Sequence, residues 1–286
     1  MFHFLIEPFQ YNYMIKAITI SIVVGGLCSF LSTFLMLKGW SLIGDALSHS
    51  VIPGIAGSYI LGIPYSIGAF FTGMLAIVFI ILIRLMSKLK EDAIIGFVFS
   101  TFFAFGLFLI SLRPIPVNIQ TIIFGNVLGI ADSDIIQILI ISIFSFITFF
   151  FIWKDLLIIF FDENYAYSIG LKILRLKIFF FVLLSACIVT ALQTVGAILV
   201  ISMIITPGAI GYLLSDHFKK ILIIAVIIGC LTSGIGAYIS FFIDGTTGAV
   251  IVSLQTLLFI FTFFLAPKYG FIFNYKKYKK IYINKK

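Results

Sequence analysis

Residues 173–214 read ILRLKIFFFVLLSACIVTALQTVGAILVISMIITPGAIGYLL, and they decide how this chain folds. The charged side chains in this stretch are Arg175 and Lys177, both close to its start. A helix that crosses about 30 Å of hydrocarbon needs about 20 apolar residues, so the stretch is long enough for two membrane spans. A short polar interruption at 193–196 would separate them. A division there predicts nine spans in the whole chain, whereas one continuous helix would leave eight.

The composition of the 286 residues also fits a membrane protein. Hydrophobic residues make up 62% of the chain and charged residues 10%, against roughly a quarter charged in ordinary soluble domains. That is too little charge to cover a surface that faces water. Seven lysines and no acid stand in 268–286, and they supply seven of the eight net positive charges. A nucleic-acid-binding protein would spread its basic residues over a folded face, so we exclude that class.

Nine apolar runs are long enough to cross a bilayer. They lie at 15–37, 41–62, 66–86, 93–112, 134–153, 173–193, 195–214, 221–241 and 247–266. Every basic cluster between them then falls on one side, which the positive-inside rule assigns to the cytoplasm together with the C-terminus. We therefore predict an all-α polytopic membrane protein in which 1–286 form one transmembrane domain with a basic cytoplasmic tail.

Segment 113–133 is too polar for a span and too long for a turn. Its apolar residues recur at near-helical spacing, which predicts an external interfacial or re-entrant helix. The alternative is an ordered loop that rests on neighbouring helices.

A weak internal repeat links the second and seventh runs. Residues 53–57 and 207–211 both read P-G-x-x-G, and on the predicted topology their runs cross the membrane in opposite directions. This arrangement is typical of inverted repeats with broken helices.

The second run carries an acid and a histidine four residues apart, Asp45 and His49. On a helix these side chains lie on one face, and counted from Lys38 they stand roughly 10 Å and 16 Å into the membrane. Ionisable residues at such depth are costly and indicate a functional site. Pro53 has no N–H to bond the carbonyl of His49, so this oxygen is expected to be free as a further ligand.

A carboxylate, an imidazole and a carbonyl form an incomplete shell that suits Mn²⁺, Fe²⁺ or Zn²⁺. An incomplete shell favours passage, because a transported ion must leave again. Two alternatives remain open: an Asp–His hydrogen bond that locks two helices, and a proton relay. The ion would be cargo, and we expect no permanently bound cofactor.

Residues on the second run, at the end of the sixth and on the seventh could complete the lining of a pathway. They are Ser48, Pro53, Gln193, Ser202, Met203, Thr206 and Pro207. Pro207 is expected to free the carbonyl of Met203 as Pro53 does that of His49. The alternative is that the polar side chains bond across helices, as they commonly do in membranes.

Residues 162–171, DENYAYSIGL, interrupt the apolar pattern on the predicted cytoplasmic side. Asp162 can cap a short helix that Gly170 ends. Such a projection fits a groove on a partner, and the alternative is a connector that touches lipid headgroups. The residues expected to face the partner are Asp162, Glu163, Tyr165, Ala166, Ile169 and Gly170.

Common enzyme motifs are absent from the sequence. There is no G-x-x-x-x-G-K-[ST] loop for ATP, and neither H-E-x-x-H nor G-x-S-x-G occurs. We therefore expect a chain that is not itself an enzyme.

The run KGWSLIGDALSHSVIPG at 38–54 resembles the signature of the manganese, zinc and iron permease subunits of bacterial ABC importers (the ABC-3 family). The resemblance covers nearly the whole chain and is closest to the manganese/chelated-iron branch. Further matches are 90–96, 124–129, 161–163, 191–196 and 205–209.

This resemblance implies the fold of a type II ABC-importer permease that works as a homodimer with its pathway near the dimer axis. It implies a separate ATPase docked at 162–171, an extracytoplasmic metal-binding protein, and Asp45 and His49 as metal ligands. The bacterial cytoplasmic membrane would be its location. Two rival functions are a proton-coupled secondary metal transporter, with Asp45 as the proton carrier, and a non-transporting structural subunit.

Overall fold

The computed structural model describes residues 6–112, 129–130, 132–266 and 270–271. Every regular element within these ranges is a helix. The predicted external segment 113–133 lies almost wholly outside them, as does the basic tail 268–286 apart from two residues. The predictions for these two segments therefore remain predictions.

Apart from the stretch between residues 112 and 132, the helices follow one another with short connections. In chain order they are a 3₁₀ helix at Glu7–Gln10, α1 (Asn12–Lys38), α2 (Ser41–Ser50), α3 (Ile52–Leu61), α4 (Tyr65–Met86), α5 (Glu91–Leu112), α6 (Asp132–Phe161), α7 (Glu163–Ser168), α8 (Ile173–Val195), α9 (Ala197–Leu214), α10 (Phe218–Ile243) and α11 (Thr247–Leu265).

Within the described ranges, seven helices are long and apolar enough to cross a membrane: α1, α4, α5, α6, α8, α10 and α11. The other two predicted spans correspond to the 18-residue helix α9 and to the pair α2 and α3. The predicted all-α polytopic fold is confirmed.

Gly196 divides the long apolar stretch between α8 and α9. Its φ of +80° and ψ of 165° lie in a region that is essentially open only to glycine. The helix therefore ends at Val195, and a new one begins at Ala197. The predicted division of 173–214 at 193–196 is confirmed, with α8 long and apolar enough to cross a membrane and α9 a shorter apolar helix.

The second predicted span is interrupted at Val51. Helix α2 ends at Ser50 and α3 begins at Ile52, with Pro53 in the first turn of α3. A proline is well tolerated there because the first helical N–H groups have no partner within the helix. Each of the two helices has ten residues and is therefore only about 15 Å long.

The two P-G-x-x-G stretches share one packing role. A Cβ at Gly54 would lie 2.1 Å from the carbonyl oxygen of Gly68 on α4, and one at Gly208 would lie 2.4 Å from Ser32 Oγ on α1. In each case the glycine after the proline allows a neighbouring helix to approach closely. The helices differ, however, because α9 continues through Pro207. The inverted repeat remains a prediction.

Helix α1 is the centre of the bundle and packs against α6, α8, α9 and α10. Its approach to α10 is close: a Cβ at Gly25 would lie 2.1 Å from Ser233 Oγ, and one at Gly229 would lie 1.7 Å from Ser29 Oγ. Small residues at such crossings let helix backbones meet in membranes. Helices α2 and α3 lie to one side, packed on α4 and α5, and α2 also contacts α8 and α9.

Candidate functional site

Asp45 and His49 come together on one face of α2, as their spacing predicts. His49 Nε2 lies 3.4 Å from Asp45 Oδ1, and the side chains are 23% and 38% exposed respectively. The pair is therefore in contact and remains accessible from outside the chain. Oxygen and nitrogen donors at this distance can bind one cation together.

The imidazole of His49 is held between two aromatic rings of α5. Its ring centre lies 5.1 Å from that of Phe99 and 5.4 Å from that of Phe103, both in edge-on contact. Such contacts restrict rotation of the imidazole. The sequence reasoning missed both phenylalanines, although their four-residue spacing indicates that they share one face of a helix.

The backbone carbonyl of His49 has a partner, contrary to the prediction from Pro53. It accepts a hydrogen bond from the N–H of Val51, the residue at the break between α2 and α3. Because the chain turns here, Val51 bonds an oxygen that would be free in a continuous helix interrupted by proline. Among the described residues, the predicted metal donors found in contact with each other are the Asp45 and His49 side chains.

No group of three or more His, Cys, Asp and Glu side chains that could hold a metal occurs in the parts of the chain that the structure describes. The Asp45–His49 pair is therefore a partial shell. First-row divalent metals usually bind four or more donors, so a metal at this pair would need further ligands.

Ser202 and Thr206 on α9 belong to a hydrogen-bonded group that joins helices, and their role as pathway lining stays a prediction. Ser202 Oγ donates to Gln255 Oε1 on α11 at 3.2 Å and lies 3.4 Å from Thr206 Oγ1. Gln255 is fully buried, and its Nε2 donates to Thr232 Oγ1 on α10. These four residues join three helices, which is the cross-helix alternative weighed from the sequence.

The other predicted lining residues occupy different surroundings. Ser48 is buried, and its hydroxyl donates to the Gly44 carbonyl one turn earlier. Met203 is buried too, and the next residue on α9, Ile204, packs against Gly44 of α2. The side-chain oxygen of Gln193 is buried and has no hydrogen-bond partner among the described residues. The hydrogen bonds seen here do not link these residues to the Asp45–His49 pair.

The predicted projection between α6 and α8 is the short helix α7. Asp162 caps it, accepting hydrogen bonds from the N–H groups of Asn164 at 2.9 Å and Tyr165 at 3.1 Å. Gly170, with a φ of +80°, ends the turn that follows. The aspartate and glycine thus hold the segment as their sequence positions predict.

The exposed surface of α7 and the residue after it includes aromatic and aliphatic side chains beside the polar Asn164 and Ser168. Tyr165, Tyr167 and Ile169 project outward, Tyr167 being 79% exposed. Ala166 is fully buried, so it packs the helix onto the bundle and does not face outward as expected. Tyr167 was not among the predicted contact residues, although its position in the same stretch could have indicated it.

Glu163 also differs from expectation, because its partners lie within the chain. Its carboxylate lies 2.6 Å from Lys177 Nζ on α8 and 3.4 Å from Lys38 Nζ at the end of α1. Partial burial opposes ionisation, but the hydrogen bond and charge of Lys177, and then those of Lys38, outweigh it. The pKa of this carboxyl is therefore held below its ordinary value.

A second charged cluster lies at the same end of the bundle. The indole N–H of Trp40 donates to Glu91 Oε2 at 2.6 Å, and Arg84 Nη2 lies 2.7 Å from Glu91 Oε1. The Trp40 ring is buried between Phe160 and Phe181. This cluster joins the start of α2 to the start of α5.

Comparison with known proteins places the whole chain among membrane transport proteins. A family model described as "ABC 3 transport family" matches residues 10–266. The chain is 63% identical to the "Chelated iron transport system membrane protein YfeC" of Yersinia pestis, over 95% of this chain and 92% of that protein. It is 48% identical to the "Manganese transport system membrane protein MntB" of Synechocystis, with 94% and 88% covered.

A solved structure has the same fold. "PsaBC from Streptococcus pneumoniae in complex with Fab" contains a chain that superposes with a TM-score of 0.84 at 34% sequence identity. The match covers 94% of the present chain and 98% of that one. The structural similarity therefore extends over nearly all of the chain, and the family match includes helix α2, which carries Asp45 and His49.

Proposed function

The chain belongs to the ABC 3 transport family, and we propose that it is the membrane permease of an ABC importer that carries Mn²⁺ or Fe²⁺ into the cytoplasm past Asp45 and His49. The observation that carries the proposal is the contact between these two side chains on one face of α2. The relatives named for chelated iron and manganese transport support the choice of ions. Zn²⁺ binds similar donors, so it belongs in the test.

The pair would be completed by a second copy of the chain. One chain offers a carboxylate and an imidazole, and both are partly exposed. Two chains related by a twofold axis would present two such pairs to one ion, which supplies four protein ligands. A homodimer with the pathway at its axis therefore accounts for a partial site that is open at the surface of the single chain.

The orientation follows from the distribution of basic residues. Lysines and arginines concentrate at the end of the bundle that carries α7 and the connection between α4 and α5. The positive-inside rule assigns this end to the cytoplasm of a bacterial cell, with the C-terminal tail on the same side. The opposite end would face the extracytoplasmic metal-binding protein.

The exposed face of α7 is the proposed contact with the ATPase. Tyr165, Tyr167 and Ile169 form an apolar and aromatic surface outside the spans, and aromatic residues are enriched in protein interfaces. The permease would hydrolyse nothing itself, and the metal would be cargo, with no resident cofactor.

Uptake into proteoliposomes tests the proposed function. The complex of the permease, its ATPase and its binding protein should accumulate Mn²⁺ or Fe²⁺ only with ATP, and competition among Mn²⁺, Fe²⁺ and Zn²⁺ should rank the ions. Uptake that continues without the ATPase and follows a proton gradient would instead establish the secondary transporter. Absence of uptake for all three ions would contradict a metal permease.

Loss of the α7 cap should weaken ATPase binding. Asp162→Ala removes the acceptor for two N–H groups, which costs a helix about 1 kcal/mol and corresponds to roughly fivefold weaker recovery of the ATPase in co-purification. Asp162→Asn is the matched control, since asparagine caps helices equally well. Equal recovery for the alanine variant and the wild type would count against α7 as the docking element.

A further inference from the structure

Two lysines contact the same carboxylate at the proposed cytoplasmic end of the bundle, Lys177 at Oε2 and Lys38 at Oε1 of Glu163. Glu163, the first residue of α7, contacts Lys177 on α8 and Lys38, the last residue of α1. Both lysine side chains are mostly buried, at 20% and 22% exposure. Lys38 connects Glu163 to the end of α1, whereas Lys177 connects it to α8. Substituting one lysine at a time therefore separates the effects of the two contacts.

Lys38 stands next to the turn that begins the metal-binding helix. Gly39 follows it with a φ of +73°, and the N–H of Trp40 bonds the Leu35 carbonyl at 2.8 Å. The N–H of Gly39 also bonds the Met36 carbonyl at 3.2 Å, and with the turn held by both bonds we expect a displacement of Lys38 to move Trp40 as well. The ammonium of Lys38 also lies 6.0 Å from the centre of the Trp40 ring.

From Trp40, two helices lead to His49. One is α2, which begins at the next residue and carries the histidine itself. The other is α5, which begins at Glu91, the acceptor of the Trp40 indole N–H, and carries the two phenylalanines against the imidazole. A movement of Trp40 would thus displace the ligand and the aromatic walls around it together.

The structure leaves room for such a movement. A partly open pocket of about 290 Å³ is lined by Trp40, Arg84, Glu91, Glu163 and Lys177 together with apolar side chains. Close-packed interiors resist small displacements, whereas a pocket beside the two charged clusters leaves their side chains space to move.

We propose that Lys38 is a positioning residue that passes displacement of α7 by the ATPase, through Glu163, to Trp40 and so to the Asp45–His49 pair. This step rests on the proposed function, because it takes α7 as the ATPase contact. In this proposal Lys177 only holds Glu163, and with it α7, against α8, and it passes no movement to Trp40. If ion pairing served merely to hold α7 in place, Lys177 would matter more, because its contact with Glu163 is the shorter one.

The first test needs neither metal nor ATPase. The full permease, labelled with 5-fluorotryptophan, contains two tryptophans, Trp40 and Trp153, and Trp153→Phe assigns their fluorine resonances. Glu163→Gln should shift the Trp40 resonance and leave that of Trp153 in place. The shift should vanish when Lys38→Met is already present and persist when Lys177→Met is present. An equal response in both lysine backgrounds, or no response in the otherwise wild-type chain, would overturn the proposal.

The second test measures coupling in the reconstituted complex. Lys38→Met should lower the amount of metal moved per ATP hydrolysed by roughly two- to thirtyfold, the range over which residues between coupled sites act. Lys38→Arg should restore most of the ratio, and Lys177→Met should keep it. An unchanged ratio in Lys38→Met would refute the role. Failure of the wild-type complex to move metal would instead contradict the proposed function, and the fluorine experiment would still decide whether Lys38 links Glu163 to Trp40.

Discussion

His49→Ala should lower metal uptake by the reconstituted complex by at least about 100-fold, because even residues that merely support metal ligands change affinity or activity by 10–100-fold. The substitution removes the imidazole nitrogen and leaves the carboxylate of Asp45 without its neighbour at 3.4 Å. The gap between Phe99 and Phe103 can be filled by water without loss of the fold, since His49 is partly exposed. Uptake of the metal that the wild-type complex prefers is the measurement.

The companion variant and the control lie on the same helix. Asp45→Asn keeps the size of the side chain but removes its charge, so it should also abolish uptake. Ser48→Ala should stay close to wild type, because the Ser48 hydroxyl is occupied by the Gly44 carbonyl. Both site variants should co-purify with the ATPase as the wild type does. Normal uptake by His49→Ala and Asp45→Asn would eliminate the pair as the metal site.

Gly54→Ala should destabilise the bundle by about 3 kcal/mol or more, at the upper end of the cost of overpacking a well-packed core. The new Cβ would lie 2.1 Å from the Gly68 carbonyl oxygen and 2.5 Å from its carbon. Backbone atoms cannot rotate away as a side chain can, so α3 must separate from α4. We expect a clear fall in the midpoint of thermal unfolding in detergent. The measurement is the amount of folded protein that size-exclusion chromatography recovers after heating to each temperature.

Gly57→Ala is the matched control one turn further along α3. A Cβ there meets no atom within 4 Å, and alanine is favoured over glycine in a helix by up to about 1 kcal/mol. The unfolding midpoint should therefore stay the same or rise. Equal unfolding midpoints for the two glycine variants would show that Gly54 is not required for the close contact between α3 and α4.

Much of the fold could be predicted from local signals in the sequence. Apolar run length located the spans, and the glycine at 196 correctly divided the longest run. The P-G-x-x-G repeat indicated a broken helix in the run 41–62, but hydropathy did not place the break at Val51, because Pro53 lies in the first turn of the helix that follows. A break between two helices of similar hydropathy depends on backbone dihedral angles. Hydropathy along the sequence therefore does not locate it.

Only the part of the candidate site that lies within a single helix could be predicted. Asp45 and His49 are four residues apart, so helical periodicity alone brings them together. Phe99 and Phe103 reach the imidazole from a helix some fifty residues away, and the partners of Glu163 come from two further helices. Such contacts are set by packing between helices, and one sequence carries no direct signal for them.

The central position of α1 has a consequence for how the protein is made. Its buried face carries hydroxyl groups at Ser21, Ser29, Ser32 and Thr33, and the helix that covers much of this face is α10. Synthesis proceeds from the N-terminus, so α1 enters the membrane early, while residues 218–243 are the next-to-last described helix to emerge. Helices α6, α8 and α9 can pack on α1 earlier, but the face that α10 covers must wait among lipids or temporary neighbours until this late helix has entered the membrane.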